Sequence, residues 1–239
     1  MQPGKIIKEK IPIKMVRDDT HDTKTFRLPV PETFDFIPGQ FVILSLWYEK
    51  GGTSKEVKRS YSIASSPTEK GHIDLTIKLY PQGELSPRIF SMKEGDQCGV
   101  HGPFGKFILD ANKPKIAFLT AGSGVTPFRS MIKYCLDKKL QNEMVMLYSS
   151  KTPKDIIYKE EFDEWNKSPN LKIINTITRP DGTGWNGQTG RISAEMIRKY
   201  IDVENSDFYL CGPDEFLNSM LEILKDLHVE KDRIKKEQW

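Results

Sequence analysis

Cysteine is scarce in this 239-residue chain: Cys98, Cys135 and Cys211 are odd in number and far apart. No C-x-x-C pair occurs, so neither an iron–sulfur cluster nor a zinc ribbon is expected, and a disulfide scaffold is not expected either. Thiols used this sparingly point to a reducing compartment, and the cytoplasm is the expected location. His21, His72, His101 and His228 show no metal-ligand spacing, and no metal is expected. No apolar run approaches the ~18 residues of a membrane span, and Met1–Lys10 lacks the character of a signal peptide. An excess of one charge is missing too. Lys+Arg 36 against Asp+Glu 33 leaves +3, neither half carries a basic footprint, and no nucleic-acid partner is expected. What is present, 37% hydrophobic and 29% charged residues, suits a soluble globular chain of one large or two ordinary domains.

Two grammars divide the chain. Up to about Asp110, short strand candidates (Gln40–Trp47, Arg59–Ser65, His72–Tyr80, Gln97–His101) are punctuated by Pro38-Gly39, Gly51-Gly52, Pro67, Gly83 and Gly102-Pro103. Such spacing predicts an antiparallel barrel or sandwich. One short helix interrupts it, with Ser86 as cap and Pro87 as its first residue. After Lys115, strands (Ile116–Thr120, Glu143–Tyr148, Leu171–Ile177, Asp207–Leu210) alternate with helices (Pro127–Leu136, Lys159–Trp165, Ala194–Tyr200, Asp214–Leu227). That alternation predicts a doubly wound parallel sheet. The turn-rich Ala111–Pro114 sets expected domains of 1–112 and 113–239.

Two motifs carry chemistry. Gly122-Ser123-Gly124-Val-Thr126-Pro127 lies between the first strand and first helix of the second half. Its glycines let backbone N–H groups approach a diphosphate, with Thr126 as expected cap and Pro127 as first helical residue. The third fingerprint glycine is replaced by Pro127, so the string departs from the usual dinucleotide pattern. In the first half, Arg59-Ser60-Tyr61-Ser62 is read as placing a cation, a ring and a hydroxyl on one strand face. Arg suits phosphate, Tyr a planar ring, and Ser a ring nitrogen or carbonyl.

Taken with Gly83-Glu84-Leu85-Ser86-Pro-Arg88, the Arg59-x-Tyr61-Ser62 string resembles the flavin-binding half of the ferredoxin–NADP reductase superfamily. Gly122–Pro127 and Cys211-Gly212-Pro213 resemble its pyridine-nucleotide half, and all four motifs stand in the family's order. The Gly83–Arg88 string is most similar to the bacterial ferredoxin/flavodoxin reductases; Gly102–Gly105 and Trp185-Asn-Gly187-x-x-Gly190 are more similar to oxygenase reductase components. The resemblance implies an antiparallel six-stranded β-barrel flavin domain followed by a parallel-sheet nucleotide domain. It implies FAD, preferred to FMN because Glu84, Leu85 and Ser86 would complete a diphosphate site. Arg59 would bind that diphosphate, Tyr61 would pack on the flavin, Ser62 would sit near its N5, and Ile77, Lys78 and Leu79 would lie behind it. Cys211 would position the nicotinamide without covalent chemistry.

The coenzyme is expected to be NADP(H), with NAD(H) the alternative, because Thr178-Arg179 and Arg191 offer guanidinium groups to a 2′-phosphate and no acid stands at 178. The family ending Glu-x-aromatic resembles Glu237-x-Trp239, which implies a terminal ring over the flavin and a carboxylate near N5. The implied activity is hydride transfer from NADPH to FAD, then single electrons to ferredoxin or flavodoxin, reversibly. The alternative is the reductase component of an oxygenase or other multi-component system.

Overall fold

The computed structural model describes residues 5–238. Contacts divide the chain into two units: one runs to Leu109 and also takes Thr126–Tyr134, and the other holds Asp110–Val125 and Cys135 onward.

The first unit is built from β1 (Ile7–Pro12), β2 (Met15–Thr20), β3 (Thr23–Pro29), β4 (Phe41–Lys50), β5 (Thr53–Ser62), β6 (His72–Lys78), α1 (Ser86–Phe90) and β7 (Gln97–Phe104). Its strands form two antiparallel sheets, β1-β7-β4-β5 and β2-β3-β6, joined by a bridge between Ile63 and Leu75. The described residues of this unit hold seven strands where six were expected. The chain changes sheet at Ile13-Lys14, which splits the first stretch into β1 and β2. The β4–β5 hairpin closes through Gly51 and Gly52 at φ +61° and +73°. Positive φ at both central residues matches the twist of the flanking strands. Phe26, Leu28, Val42, Leu44, Ile73 and Leu75 fill the interior between the sheets.

Helix α1 differs from its expectation. Leu85, not Ser86, is at the cap position, and the helix stops before Ser91. The Ser86 hydroxyl instead accepts from Tyr80 N (3.0 Å) and donates to Tyr80 O (3.1 Å), closing the loop that precedes the helix.

The second unit has β8 (Lys115–Ala121), α2 (Thr126–Asp137), β9 (Glu143–Ser150), α3 (Lys159–Trp165), β10 (Leu171–Ile177), β11 (Gln188–Thr189), α4 (Ala194–Tyr200), β12 (Asp207–Gly212), α5 (Asp214–Asp226) and β13 (Ile234–Gln238). The first nine residues of α2 count with the first unit. All six strands are parallel, in the order β11-β10-β9-β8-β12-β13. Near-continuous apolar strands such as Ile116–Leu119 and Phe208–Leu210 are buried because helices cover a parallel sheet. The order reverses between β8 and β12, and ligands of such sheets collect at the carboxyl ends of the strands at this reversal. Among the described residues, no helix is long and apolar enough to cross a membrane.

Candidate functional site

In the first unit the register of β5 decides which side chains share a face. Arg59 lies opposite Leu44 and Tyr61 opposite Val42, both fully buried. Arg59 and Tyr61 therefore share the inward face. Ser60 pairs with Ile43 and Ser62 with Phe41, which puts both serines on the other face, because successive side chains alternate. The shared face read from the sequence thus holds for the cation and the ring but not for the hydroxyl.

Arg59 is exposed, and its guanidinium donates to the Lys58 carbonyl at 2.7 Å. Burial pushes the half-buried Tyr61 phenol up to about 12. Tyr80, 44% exposed, is close enough for its hydroxyl to act on that of Tyr61. Behind Tyr80 the loop is tight: Gly83 N donates to Tyr80 O at 2.8 Å, and a Cβ on Gly83 would stand 3.1 Å from that oxygen.

Glu84 accepts a hydrogen bond from the Tyr48 hydroxyl, which holds its carboxyl below the ordinary range. The Arg88 guanidinium lies 3.7 Å from the centroid of the Tyr48 ring. Tyr48, Tyr80 and Arg88 thus join the motif residues; the sequence reading quoted Arg88 without a role and missed Tyr48. The alternation of β4, which sets Tyr48 beside the loop, was the available signal.

Other expected residues are used by the fold. Leu85 and Ile77 are buried in the core. The Lys78 ammonium pairs with Asp22, and Leu79 N donates to Asp22 O at 2.7 Å. Past Ser62 the chain is held by groups that the sequence reading did not find. Buried Arg129 donates to the Ala64 carbonyl (2.8 Å) and Ser130 to the Ser65 carbonyl (2.7 Å). Ser65 Oγ accepts from Asp74 N, and Asp74 makes a two-point pair with Arg27 (2.8 and 2.9 Å).

In the second unit, Gly122–Val125 form a 3-10 turn that runs directly into α2. Thr126 is therefore the first residue of α2 and Pro127 the second, one position later than expected. Gly122 has φ +56° and open space where a Cβ would be, whereas a Cβ on Gly124 would meet Cys211 O at 2.3 Å. The second glycine is thus demanded by the close approach of β12. Ser123 is half-buried beside them. Cys211 is buried, its thiol raised well above the ordinary value by burial and by the nearby charge of Glu237. Glu237 lies opposite Cys211 in the β12–β13 pairing. Gly212 ends β12, and exposed Pro213 caps α5. Trp239 lies outside the described residues.

Thr178 and Arg179 are exposed at the carboxyl end of β10, their backbone N–H groups bonded to Ser150 O (3.0 Å) and Lys151 O (2.8 Å). Arg191 pairs with Glu215 at 3.0 Å on the surface, a contact worth little in water. The two guanidinium groups are therefore not equivalent. Among the described residues, Ser150 Oγ is buried without a hydrogen-bond partner at the carboxyl end of β9. An orphaned hydroxyl beside an open glycine turn fits a polar ligand at the strand ends. In the first unit, an exposed Arg59, an exposed Tyr80 and a tight loop fit an anionic, aromatic one.

The family of oxidoreductase FAD-binding domains matches residues 10–108, and that of oxidoreductase NAD-binding domains matches residues 118–222. NADH-cytochrome b5 reductase 1 of Aspergillus fumigatus is 31% identical over 241 residues, covering 95% of this chain and 75% of that protein. The chain belongs to the ferredoxin–NADP reductase superfamily. It is an NAD(P)H-dependent flavoprotein oxidoreductase with an FAD-binding and an NAD-binding domain. The glycine betaine monooxygenase reductase subunit of Pseudomonas aeruginosa is 32% identical over 220 residues, 89% of this reductase and 59% of that subunit. A ferredoxin NADP+ reductase from Neisseria gonorrhoeae, solved with FAD and NADP, shares the fold at a TM-score of 0.82 and 20% identity, covering 97% of this chain and 98% of that one.

Proposed function

We propose that this reductase takes reducing equivalents from NADPH and passes single electrons to a carrier protein such as ferredoxin or flavodoxin, in either direction. The observation that carries the reading is the Arg59–Tyr61 row beside the Gly83–Arg88 loop in one unit, with a glycine turn at the sheet's order reversal in the other. When bound, FAD supplies the conversion between a two-electron donor and one-electron steps. The chain's own residues bind and orient. Arg59 and Arg88 neutralise a diphosphate, assisted by the backbone N–H groups of Gly83–Ser86. Tyr61 and Tyr80 offer faces to planar rings. The backbones of Gly122, Ser123 and Gly124 receive the coenzyme diphosphate, with Thr126 and Pro127 opening the helix behind them. Cys211, Gly212 and Pro213 shape the nicotinamide position. Glu237 holds a proton near it. Arg179 reads the 2′-phosphate, with Arg191 assisting only when released from Glu215.

A second reading, the reductase component of an oxygenase system, is favoured by the betaine monooxygenase relative, of whose length the chain spans 59%. The fungal relative's name adds cytochrome b5 to the acceptors worth testing.

The deciding experiment is anaerobic titration of the purified holoprotein with NADPH and NADH side by side, followed by mixing with ferredoxin, flavodoxin or cytochrome b5. Bleaching of the flavin band by NADPH at lower concentration than NADH, then reoxidation by one carrier, is expected. Release of FMN on denaturation, or no bleaching by either coenzyme, would overturn the reading.

A further inference from the structure

The four-stranded sheet has a second face, turned away from Arg59 and Tyr61. Its side chains follow from the register. Lys8 stands opposite His101 and Lys10 opposite Gly99 on β7. Ile43 and Ser45 continue those rows on β4, Ser60 and Lys58 end them on β5, and Trp47 pairs with Glu56. The outside of a barrel is ordinarily lined with polar groups, but this one has a concavity of about 450 Å³ whose walls include Lys8, Lys10, Ser45, Trp47, Lys58 and His101.

Two features set it apart from plain solvated surface. The Trp47 indole lies across the sheet over Gly99, where an added Cβ would come within 2.6 Å of the ring. Lys10 sits 4.1 Å from the ring centroid on that aromatic floor. Trp47 is nonetheless 39% exposed, and Ile6, which shares the alternation of Lys8 and Lys10, is 53% exposed. The other feature is charge. Three ammonium groups meet two carboxylates, Glu9 and Glu56, and Glu56 is already paired with Lys58 at 2.7 Å and acted on by the charge of Lys8, which leaves a single positive charge in excess. Among the described residues, no carboxylate forms an ion pair with Lys8 or Lys10.

An exposed aromatic anchor ringed by unbalanced cations is the anatomy of a protein-docking site for an acidic partner. Lys58 and Arg59 are consecutive, so this face is the reverse side of the strand that carries the flavin motif.

We propose that this face docks the acidic surface of the electron-carrier protein, with Trp47 as the central contact and Lys8, Lys10 and Lys58 as the steering rim. The proposal rests on the carrier reading above. Rim charges act mainly on encounter, so they change the Michaelis constant and its salt dependence more than turnover.

The test uses the FAD-loaded protein as wild type, Lys8→Glu/Lys10→Glu and Trp47→Ala, with a strongly acidic [2Fe–2S] ferredoxin, basic cytochrome c and ferricyanide as acceptors. For the double variant, the KM for ferredoxin should rise about tenfold at low ionic strength, with kcat and ferricyanide reduction unchanged. The KM for cytochrome c should not rise. The difference should shrink in 0.5 M salt, where the screening length is well below ~8 Å. Trp47→Ala should raise the ferredoxin KM at both salt concentrations. Wild type that reduces ferredoxin alongside variants with the same KM overturns the docking face alone. Wild type that reduces ferricyanide but neither protein overturns the carrier reading and the docking face with it. Loss of binding to anionic lipid vesicles in the variants, with carrier kinetics unchanged, would assign the face to a membrane surface and also overturn the proposal.

Discussion

Gly122 and Gly124 stand two residues apart and answer to different demands. At Gly122 the backbone is left-handed with open space around it, so Gly122→Ala should cost only the conformational penalty of about 1–2 kcal/mol. At Gly124 an added Cβ would lie 2.3 Å from Cys211 O and 2.6 Å from Cys211 C. Both are backbone atoms that cannot swing away. Gly124→Ala should therefore force β12 and the turn apart, costing at the upper end of about 1–3 kcal/mol and weakening coenzyme binding. Urea unfolding of the two variants, with coenzyme titration, separates the cases. Burial raises Cys98 and Cys135 to about 12, and Cys211 still more clearly. The thiolate is the reactive form, so native protein at pH 8 should react slowly with a disulfide reagent and release all three thiols only on unfolding. A fast single thiol in the native state would contradict the burial of Cys211. Arg179→Ala should raise the KM for NADPH and leave that for NADH nearly unchanged; equal effects would remove Arg179 from phosphate recognition.

The segment after Ser62 shows an element held from outside its own sheet. Ala64 and Ser65 direct carbonyls to Arg129 and Ser130 of α2, while Ala64 N bonds to Asp74 O of β6 at 2.8 Å. Ser130→Ala would leave a buried carbonyl short of its donor, a loss of about 1–3 kcal/mol, and should loosen flavin retention measured by gel filtration. Much of the second unit was legible because each strand is a short apolar run and each helix an amphipathic one, as in Ile116–Leu119 and α5. The strand bounds of β4, β6 and β9 follow the sequence closely for the same reason. The clamp from α2 was not legible. Arg129 and Ser130 look like ordinary helical residues, and the carbonyls they serve lie 65 residues away. Strands β1 and β2 escaped for a different reason: the consecutive charged residues Lys8-Glu9-Lys10 in β1 and Arg17-Asp18-Asp19 in β2 dilute the apolar alternation. The misplaced Ser62 came from treating adjacent residues as though they shared a face.

At the scale of the whole molecule, acid should be the sensitive side. Burial acts to raise the Asp22 carboxyl, but the hydrogen bond and charge of Lys78 outweigh it, and it sits below its ordinary value. Asp202 is lowered by its hydrogen bond from Lys115, and Glu56 by that from Lys58. A carboxyl lowered in the folded state adds stability above its unfolded pKa of about 4, and that stability is lost as pH falls through the lower folded value. Asp19, raised mainly by burial, runs the other way and gains as it protonates. Glu84, lowered by its hydrogen bond from Tyr48, joins the first three. With four groups against one, Tm should be flat above about pH 5 and fall toward pH 3, and a Tm that rises on acidification would reverse the balance. The membership of Thr126–Tyr134 in the first unit also bears on the order in which the protein is made. Every strand of the first unit is synthesised before residue 105, yet the donors for Ala64 and Ser65 are translated only after β8 of the other unit. A fragment ending at residue 112 should bind hydrophobic dye and unfold without a sharp transition. The nascent barrel therefore waits, incomplete, until ribosomes have passed residue 134.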